Sequence, residues 1–167
     1  LLKRVDPTDF ICCTFGLDHK EMVEGVPGIV VETGIGYDHT FAGCRVFESY
    51  AWMNYHYGKD NRGLNPSWYD VVIPNYLDIA DFPRYEKQSE EYHIFLGRPT
   101  SSKGLHIAQR VCKEQKIRLY VAGQGDPMEC NYGLHLGVLD IEERAKRVGA
   151  AAALWVPSTY VEPFGTI

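Results

Sequence analysis

Two cations, Arg98 and Lys103, stand near the two ends of a short loop that is rich in glycine, proline and serine. A strand pattern ends at this loop and a helix pattern follows it, so the loop leads into a helix N-terminus. Helix N-termini attract anions through their free N–H groups and the helix dipole. A guanidinium fork and a lysine point charge there fit a diphosphate. The alternative is two solvated charges in a surface loop, which is common for these residue types.

A second candidate site is the segment at residues 162–166, with the sequence EPFGT. It follows a predicted strand that ends at Pro157 and Ser158. Gly165 allows a ligand to approach the backbone closely, and N–H groups at the start of a following helix can hold a sugar or phosphate oxygen. The alternative is an ordinary strand-to-helix turn. The G-x-G at residues 123–125 is a weaker signal, because such a pair after a strand is often only a turn.

Composition excludes several classes of protein. The net charge of -5 argues against broad nucleic-acid binding, so any phosphate site must be local. No apolar run approaches the roughly 20 residues of a membrane span. The six histidines lack metal-ligand spacing, so no metal site is predicted. Five cysteines without a C-x-x-C pair indicate free thiols and a reducing compartment, with adjacent Cys12 and Cys13 expected to be buried. The chain lacks an initiator methionine, which suggests that it begins within a longer protein.

The second half of the chain alternates strand and helix patterns. Strands are predicted at residues 92–97, 117–122, 134–139 and 153–156, and helices at 103–116 and 140–148. Ser101 or Ser102 is the expected N-cap of the first of these helices. His106 on that helix is expected at the surface. This alternation predicts an open parallel α/β sheet, in which ligands bind at the carboxyl ends of the strands.

The first half of the chain has weaker patterns. Strands are predicted at residues 9–15, 28–32 and 69–74, and a helix with an aromatic face at 47–57. A polar stretch between about residues 78 and 91 indicates a linker.

The sequence contains five motif groups, and their order along the chain is a more specific signal than any single group. They are VIPNYLD at 72–78 with DF at 81–82, FLGR at 95–98 with KGL at 103–105, LYVAGQG at 119–125, LG at 136–137, and VPS at 156–158 with EPFG at 162–165. Their order and spacing resemble the group 1 family of retaining GT-B glycosyltransferases (glycosyltransferase family 4). The resemblance implies an α/β fold of the GT-B type, with two incomplete Rossmann-like lobes of parallel sheet.

The resemblance also implies a domain division and an internal fragment. Residues 1–74 would be the C-terminal part of the acceptor-side domain, 75–91 the hinge, and 92–167 the N-terminal part of the donor-binding domain. Two departures stand out. Tyr76 replaces the hinge glycine, and residues 31–37 occupy the place where relatives often carry an acceptor-site histidine. The acceptor-side catalytic residue is therefore unassigned.

Roles for single residues follow from the same resemblance. Glu162 would lie close to the transferred sugar as the catalytic carboxylate. The positions that would bind the donor are Arg98, Lys103, Gly97, Gly123, Phe164, Gly165 and Thr166. Because all three follow the carboxyl ends of predicted parallel strands, Arg98, Lys103 and Glu162 are expected to converge on one cleft.

The implied activity is retaining transfer of a sugar from a nucleotide sugar to an acceptor hydroxyl. The acceptor would be a carbohydrate, a lipid-linked group or a protein. No cofactor and no obligatory metal are expected, and the expected location is the cytoplasm, with peripheral membrane contact left open. The present fragment by itself is expected to be inactive. The alternatives are a non-catalytic α/β domain that binds a nucleotide or a partner protein, and another GT-B enzyme such as a phosphorylase-like or sugar-phosphate synthase relative.

Overall fold

The computed structural model describes residues 4–60, 67–85, 90–126 and 130–165. The chain divides into two compact units. The first comprises Leu1–Tyr76 with Val161–Thr166, and the second comprises Leu77–Tyr160 with Ile167. Each unit is an α/β structure built on one four-stranded sheet, and the strand pairs in both sheets are parallel.

The sheet of the first unit has the strand order β1-β2-β3-β4. Its elements are β1 (Phe10–Cys13), α1 (Lys20–Val23), β2 (Ile29–Ile35), β3 (Cys44–Phe47), α2 (Tyr50–Lys59) and β4 (Asp70–Val72), with a 3-10 turn at Gly16–His19. Ile35, Phe47 and Trp52 form its buried apolar cluster. The last residues of β2 and β3 therefore pack against the first turns of α2.

The sheet of the second unit has the order β7-β6-β5-β8. Its elements are a 3-10 turn (Ile79–Asp81), β5 (Glu90–Leu96), α3 (Leu105–Glu114), β6 (Arg118–Ala122), β7 (Leu134–Gly137), α4 (Ile141–Ala150) and β8 (Ala151–Trp155). Tyr92 and Ile94 of β5 pack in one buried cluster with Ala150 of α4, whereas Phe95 packs in another with Leu105 of α3. Helices thus cover both faces of β5, as is usual for a parallel sheet.

Most predicted elements, including the helix at 47–57, are confirmed with shifts of a few residues at their ends, but the N-cap predicted for α3 is wrong. The helix predicted at 47–57 begins at Tyr50, where Ser49 caps it by accepting a hydrogen bond from the Trp52 N–H, and the strand β3, which was not predicted, precedes it. The N-cap of α3 is Gly104 in the left-handed region, not Ser101 or Ser102. Both serines lie instead in the turn before it.

The cysteines are free, but burial separates the adjacent pair. Cys13 is buried, as expected, whereas the expectation that Cys12 is buried is wrong, because successive side chains of β1 point to opposite faces of the sheet. His106 is exposed on α3, as predicted. Within the described residues, no helix has the length and apolar character needed to cross a bilayer.

Candidate functional site

The carboxyl ends of three strands of the second sheet are joined in a row by backbone hydrogen bonds. The Gly97 N–H, just after β5, donates to the Ala122 carbonyl at the end of β6 (2.9 Å). The Gly123 N–H, just after β6, donates to the Gly137 carbonyl at the end of β7 (2.8 Å). The loops that follow these strands therefore start side by side, at the edge where ligands bind in open α/β sheets.

Two glycines allow these loops to approach one another closely. A β-carbon built on Gly123 would lie 2.1 Å from the Gly97 carbonyl oxygen. One built on Gly104 would lie 2.1 Å from the Pro157 carbonyl oxygen, in the loop after β8. A side chain at either position would collide with backbone, so glycine is required for the loops after β5, β6 and β8 to meet as they do.

Arg98 and Lys103 lie in one compact loop between β5 and α3. The Thr100 N–H donates to the Arg98 carbonyl (2.7 Å), and the Lys103 N–H approaches the Thr100 hydroxyl (3.4 Å). The Arg98 side chain is exposed, and Lys103 is half-buried. The hydroxyls of Thr100 and Ser102 are 3.1 Å apart in the same loop.

This loop offers groups that suit phosphate oxygens. A guanidinium can bind two oxygens at once, an ammonium supplies a compact charge, and hydroxyls add neutral donors. Among the described residues, no group of three or more His, Cys, Asp or Glu side chains could hold a metal ion.

The remaining predicted site residues lie in a different unit. Glu162, Phe164 and Gly165 cluster with the first unit, although their segment follows β8 directly in sequence. Glu162 and Phe164 are half-buried, and Gly165 is exposed. Thr166 lies outside the described residues. The structure thus brings together Gly97, Arg98, Lys103 and Gly123, while the convergence of this group with Glu162 stays a prediction.

The middle of β2, in the first sheet, contains a buried carboxylate that the sequence patterns could not explain. Glu32 of β2 is 0% exposed and accepts hydrogen bonds from the Phe41 and Ala42 N–H groups, both at 2.8 Å. The Tyr37 hydroxyl also donates to it, at 3.3 Å. These bonds fold the loop after β2 back onto its own strand.

A buried histidine holds the same loop from the helix side. His56 of α2 is 2% exposed, and its Nε2 lies 3.0 Å from the Tyr37 carbonyl oxygen. Burial lowers the pKa of His56, although Tyr37 and the nearby Asp60 and Asp38 favour its charged form. Burial and the neighbouring Glu32 charge raise the pKa of Tyr37 to about 12. Both side chains therefore remain neutral near pH 7, as fixed parts of the scaffold.

A carboxylate–amide pair joins the ends of β3 and β4 in the first unit. The Asn75 side-chain amide donates to Glu48 Oε1 (2.9 Å), and a β-carbon on Gly36 would lie 2.8 Å from Glu48 Oε2. Glu48 is half-buried and Asn75 is exposed. The sequence motif VIPNYLD contains Asn75, but no local pattern marks Glu48 as its partner 27 residues earlier.

Comparison with solved structures shows the fold class. The chain is similar to AviGT4, described as a glycosyltransferase involved in avilamycin A biosynthesis, with a TM-score of 0.63 and 18% identity over 99% of this chain and 52% of that one. It is similar to a sucrose-phosphate synthase from Thermosynechococcus elongatus, with a TM-score of 0.68 and 16% identity over 94% of this chain and 52% of that one. No protein-family model and no curated protein sequence matches it.

The prediction of an α/β fold of the GT-B type, with Rossmann-like parallel sheets, is therefore confirmed. The chain spans about half the length of each of these two neighbours.

Proposed function

We propose that this chain is part of a longer retaining glycosyltransferase, which moves a sugar from a nucleotide-sugar donor to an acceptor hydroxyl. The observation that carries the proposal is the carboxyl edge of the second sheet. There, Gly97 and Gly123 let the loops meet backbone to backbone, beside a loop that holds Arg98 and Lys103. The order of the sequence motifs and the likeness to two sugar-transferring enzymes give additional support.

In the proposed reaction, Arg98 and Lys103 bind the donor diphosphate and stabilise the charge that grows on it as the sugar departs. Preorganised cations can do this without a metal ion, because they already point to the place where the charge develops. Gly97 and Gly123 would let the donor lie against the backbone. Glu162 would contact the transferred sugar, with backbone N–H groups of residues 164–166 holding sugar and phosphate oxygens.

A cytoplasmic location is part of the same proposal. All five cysteines are free thiols, and free thiols are typical of reducing compartments. The acceptor would be a carbohydrate, a lipid-linked group or a protein.

Substitution of Arg98 tests the proposal in the full-length protein. Mass-spectrometric screening of nucleotide sugars first identifies the donor. Arg98→Ala should then lower kcat/KM for that donor about ten- to a hundredfold, since a lost charge-assisted hydrogen bond costs roughly 1.5–3 kcal/mol. Unchanged donor affinity and rate in this variant would remove Arg98 from the mechanism.

A matched control is Arg118→Ala. Arg118 is also exposed, but it is the first residue of β6 and so lies at the opposite edge of the same sheet. Its replacement should leave donor affinity and transfer unchanged. Tight nucleotide binding without any transfer in the full-length protein would favour the alternative, a non-catalytic nucleotide-binding domain.

A further inference from the structure

The ring of Tyr160, in the loop after β8, lies over the ammonium group of Lys103. The Lys103 Nζ is 5.4 Å from the ring centroid, which is within the range of a cation–π interaction. Tyr160 is 39% exposed and Lys103 is half-buried. The pair therefore lies at the surface of the second unit, at the carboxyl edge of its sheet.

Contacts on both sides of Lys103 fix the position of the loop that carries Tyr160. The Thr159 N–H and hydroxyl both donate to the Ser102 carbonyl, at 2.9 and 3.2 Å. On the other side, the Pro157 carbonyl lies against the α-carbon of Gly104. The loop after β8 is thus attached to the residues immediately before and after Lys103, which leaves little freedom in where the ring can lie.

A lysine side chain needs such a contact more than an arginine does. Its four-carbon stem carries about 2 kcal/mol of rotamer entropy, and it binds phosphate as a point charge without a fixed fork of donors. A ring that holds the ammonium before the ligand arrives reduces the entropy lost on binding. Loss of an exposed cation–π contact corresponds to about two- to fivefold in an equilibrium constant.

We propose that Tyr160 is a positioning residue for diphosphate binding, acting by holding the Lys103 ammonium at the carboxyl edge of the sheet. This rests on the proposed role of Lys103 in donor binding. Tyr160 would act through Lys103 alone, so its contribution should vanish when the ammonium is removed. The aromatic face should matter and the phenol hydroxyl should not.

The test is a double-mutant cycle in the full-length protein. The probe is the nucleoside diphosphate of the best donor in the screen, and the readout is its dissociation constant by calorimetry. Tyr160→Leu should weaken binding about two- to fivefold in the wild-type background and not at all in a Lys103→Ala background. Tyr160→Phe, the matched control, should bind as wild type.

The outcomes separate this proposal from the proposed function. Equal weakening by Tyr160→Leu in both backgrounds would mean that Tyr160 supports the loop rather than the lysine, and would overturn the proposal. Equal losses of nucleoside diphosphate affinity in Tyr160→Phe and Tyr160→Leu would also overturn it. So would normal affinity in Tyr160→Leu if Lys103→Ala binds the nucleoside diphosphate poorly. If Lys103→Ala itself binds normally, the assignment of Lys103 in the proposed function fails together with the role of Tyr160.

Discussion

At the scale of single residues, Gly104 shows how backbone conformation and crowding combine. Gly104 has φ of +75° and is crowded by Pro157, whereas Gly137 has φ of +73° with open space where a β-carbon would go. Gly137→Ala should therefore cost only the left-handed strain, about 1–2 kcal/mol. Gly104→Ala should cost a further roughly 1–3 kcal/mol, because the loop after β8 must move. The free energies of unfolding of the two variants in urea give the difference directly.

The two glycines have nearly the same positive φ, so the comparison isolates the contact with Pro157. Equal losses of stability in the two alanine variants would show that the backbone of Gly104 tolerates a methyl group, and that the close approach of the loops is not needed for folding.

His56 links stability to pH in the first unit. Its folded-state pKa is lowered by burial below the ordinary value near 6.5, so the unfolded chain takes up a proton at a pH where the folded chain does not. The contribution of neutral His56 to the free energy of unfolding is therefore present above that ordinary pKa and is lost as the pH falls below it. The free energy of unfolding then falls by at most about 1.4 kcal/mol per pH unit for one proton. His56→Gln should make the fall in unfolding free energy between pH 7 and pH 5 less steep.

The control for this prediction is His106→Gln, because His106 is exposed on α3. That variant should keep the pH profile of the wild type. A wild-type profile in His56→Gln would instead mean that carboxylates, and not this buried imidazole, account for the acid sensitivity.

Functional residues could be identified from the sequence where their neighbours in the chain form a recognisable pattern. Arg98 and Lys103 could be identified because a loop, two cations and a helix pattern are adjacent in the chain. Glu32 could not be interpreted, because its partners are backbone N–H groups 9 and 10 residues away in an irregular loop. The Tyr160–Lys103 contact depends on the meeting of two loops 57 residues apart, which no local pattern records.

At the scale of elements, β3 was missed because a charge interrupts its apolar pattern. Arg45 is 1% exposed in this strand, and its guanidinium bonds Asp70 of β4 through Nε at 2.9 Å and Nη2 at 2.5 Å. Burial opposes the Arg45 charge, but its hydrogen bonds with Asp70 and the charge of that carboxylate raise the pKa of Arg45 above its ordinary value. A buried arginine in a short strand is stable only with such a partner, and the partner is 25 residues away.

Removing that partner should destabilise the first unit strongly. Asp70→Asn removes the carboxylate that holds the buried guanidinium at hydrogen-bond distance and leaves only Asp60, at 3.9 Å, as a counter-charge. Breaking a buried pair in this way costs about 3–5 kcal/mol. Thermal and urea unfolding of the variant measure the loss.

The matched control is Asp38→Asn, which removes a carboxylate from the ion pair with Lys59 at 2.9 Å, where both side chains are exposed. This variant should change stability little, since solvent screens exposed pairs. Similar stability of the two variants would argue that the Arg45–Asp70 pair does not support the sheet.

At the scale of the whole molecule, the alternation of patterns and the order of motifs were enough to predict the fold class. Parallel sheets follow from strands separated by helices, and the motifs at 95–98, 119–125, 136–137 and 156–158 lie at the ends of β5, β6, β7 and β8 in chain order. The strand orders and the clustering of residues 161–166 with the first unit were beyond sequence reasoning. Both depend on contacts between segments far apart in the chain, and the hydrophobic periodicity of a sequence records only local structure.

Residues 1–167 alone should not turn over a donor and an acceptor. Glycosyl transfer requires donor and acceptor to be held together in reactive geometry, which contributes much of the catalysis of a two-substrate reaction. The chain covers 52% of the length of each of the two structural neighbours. We therefore expect residues 1–167 to fold at least in part, to bind a nucleotide weakly at best and to transfer no sugar, whereas the full-length protein transfers it. Incubation of both proteins with the same nucleotide sugars and acceptors, followed by mass spectrometry, is the measurement. Folding of the shorter chain is checked independently by its circular dichroism, so that inactivity is not confused with misfolding. Sugar transfer by residues 1–167 at a rate close to that of the full-length protein would mean that these two units already contain every group that the reaction needs.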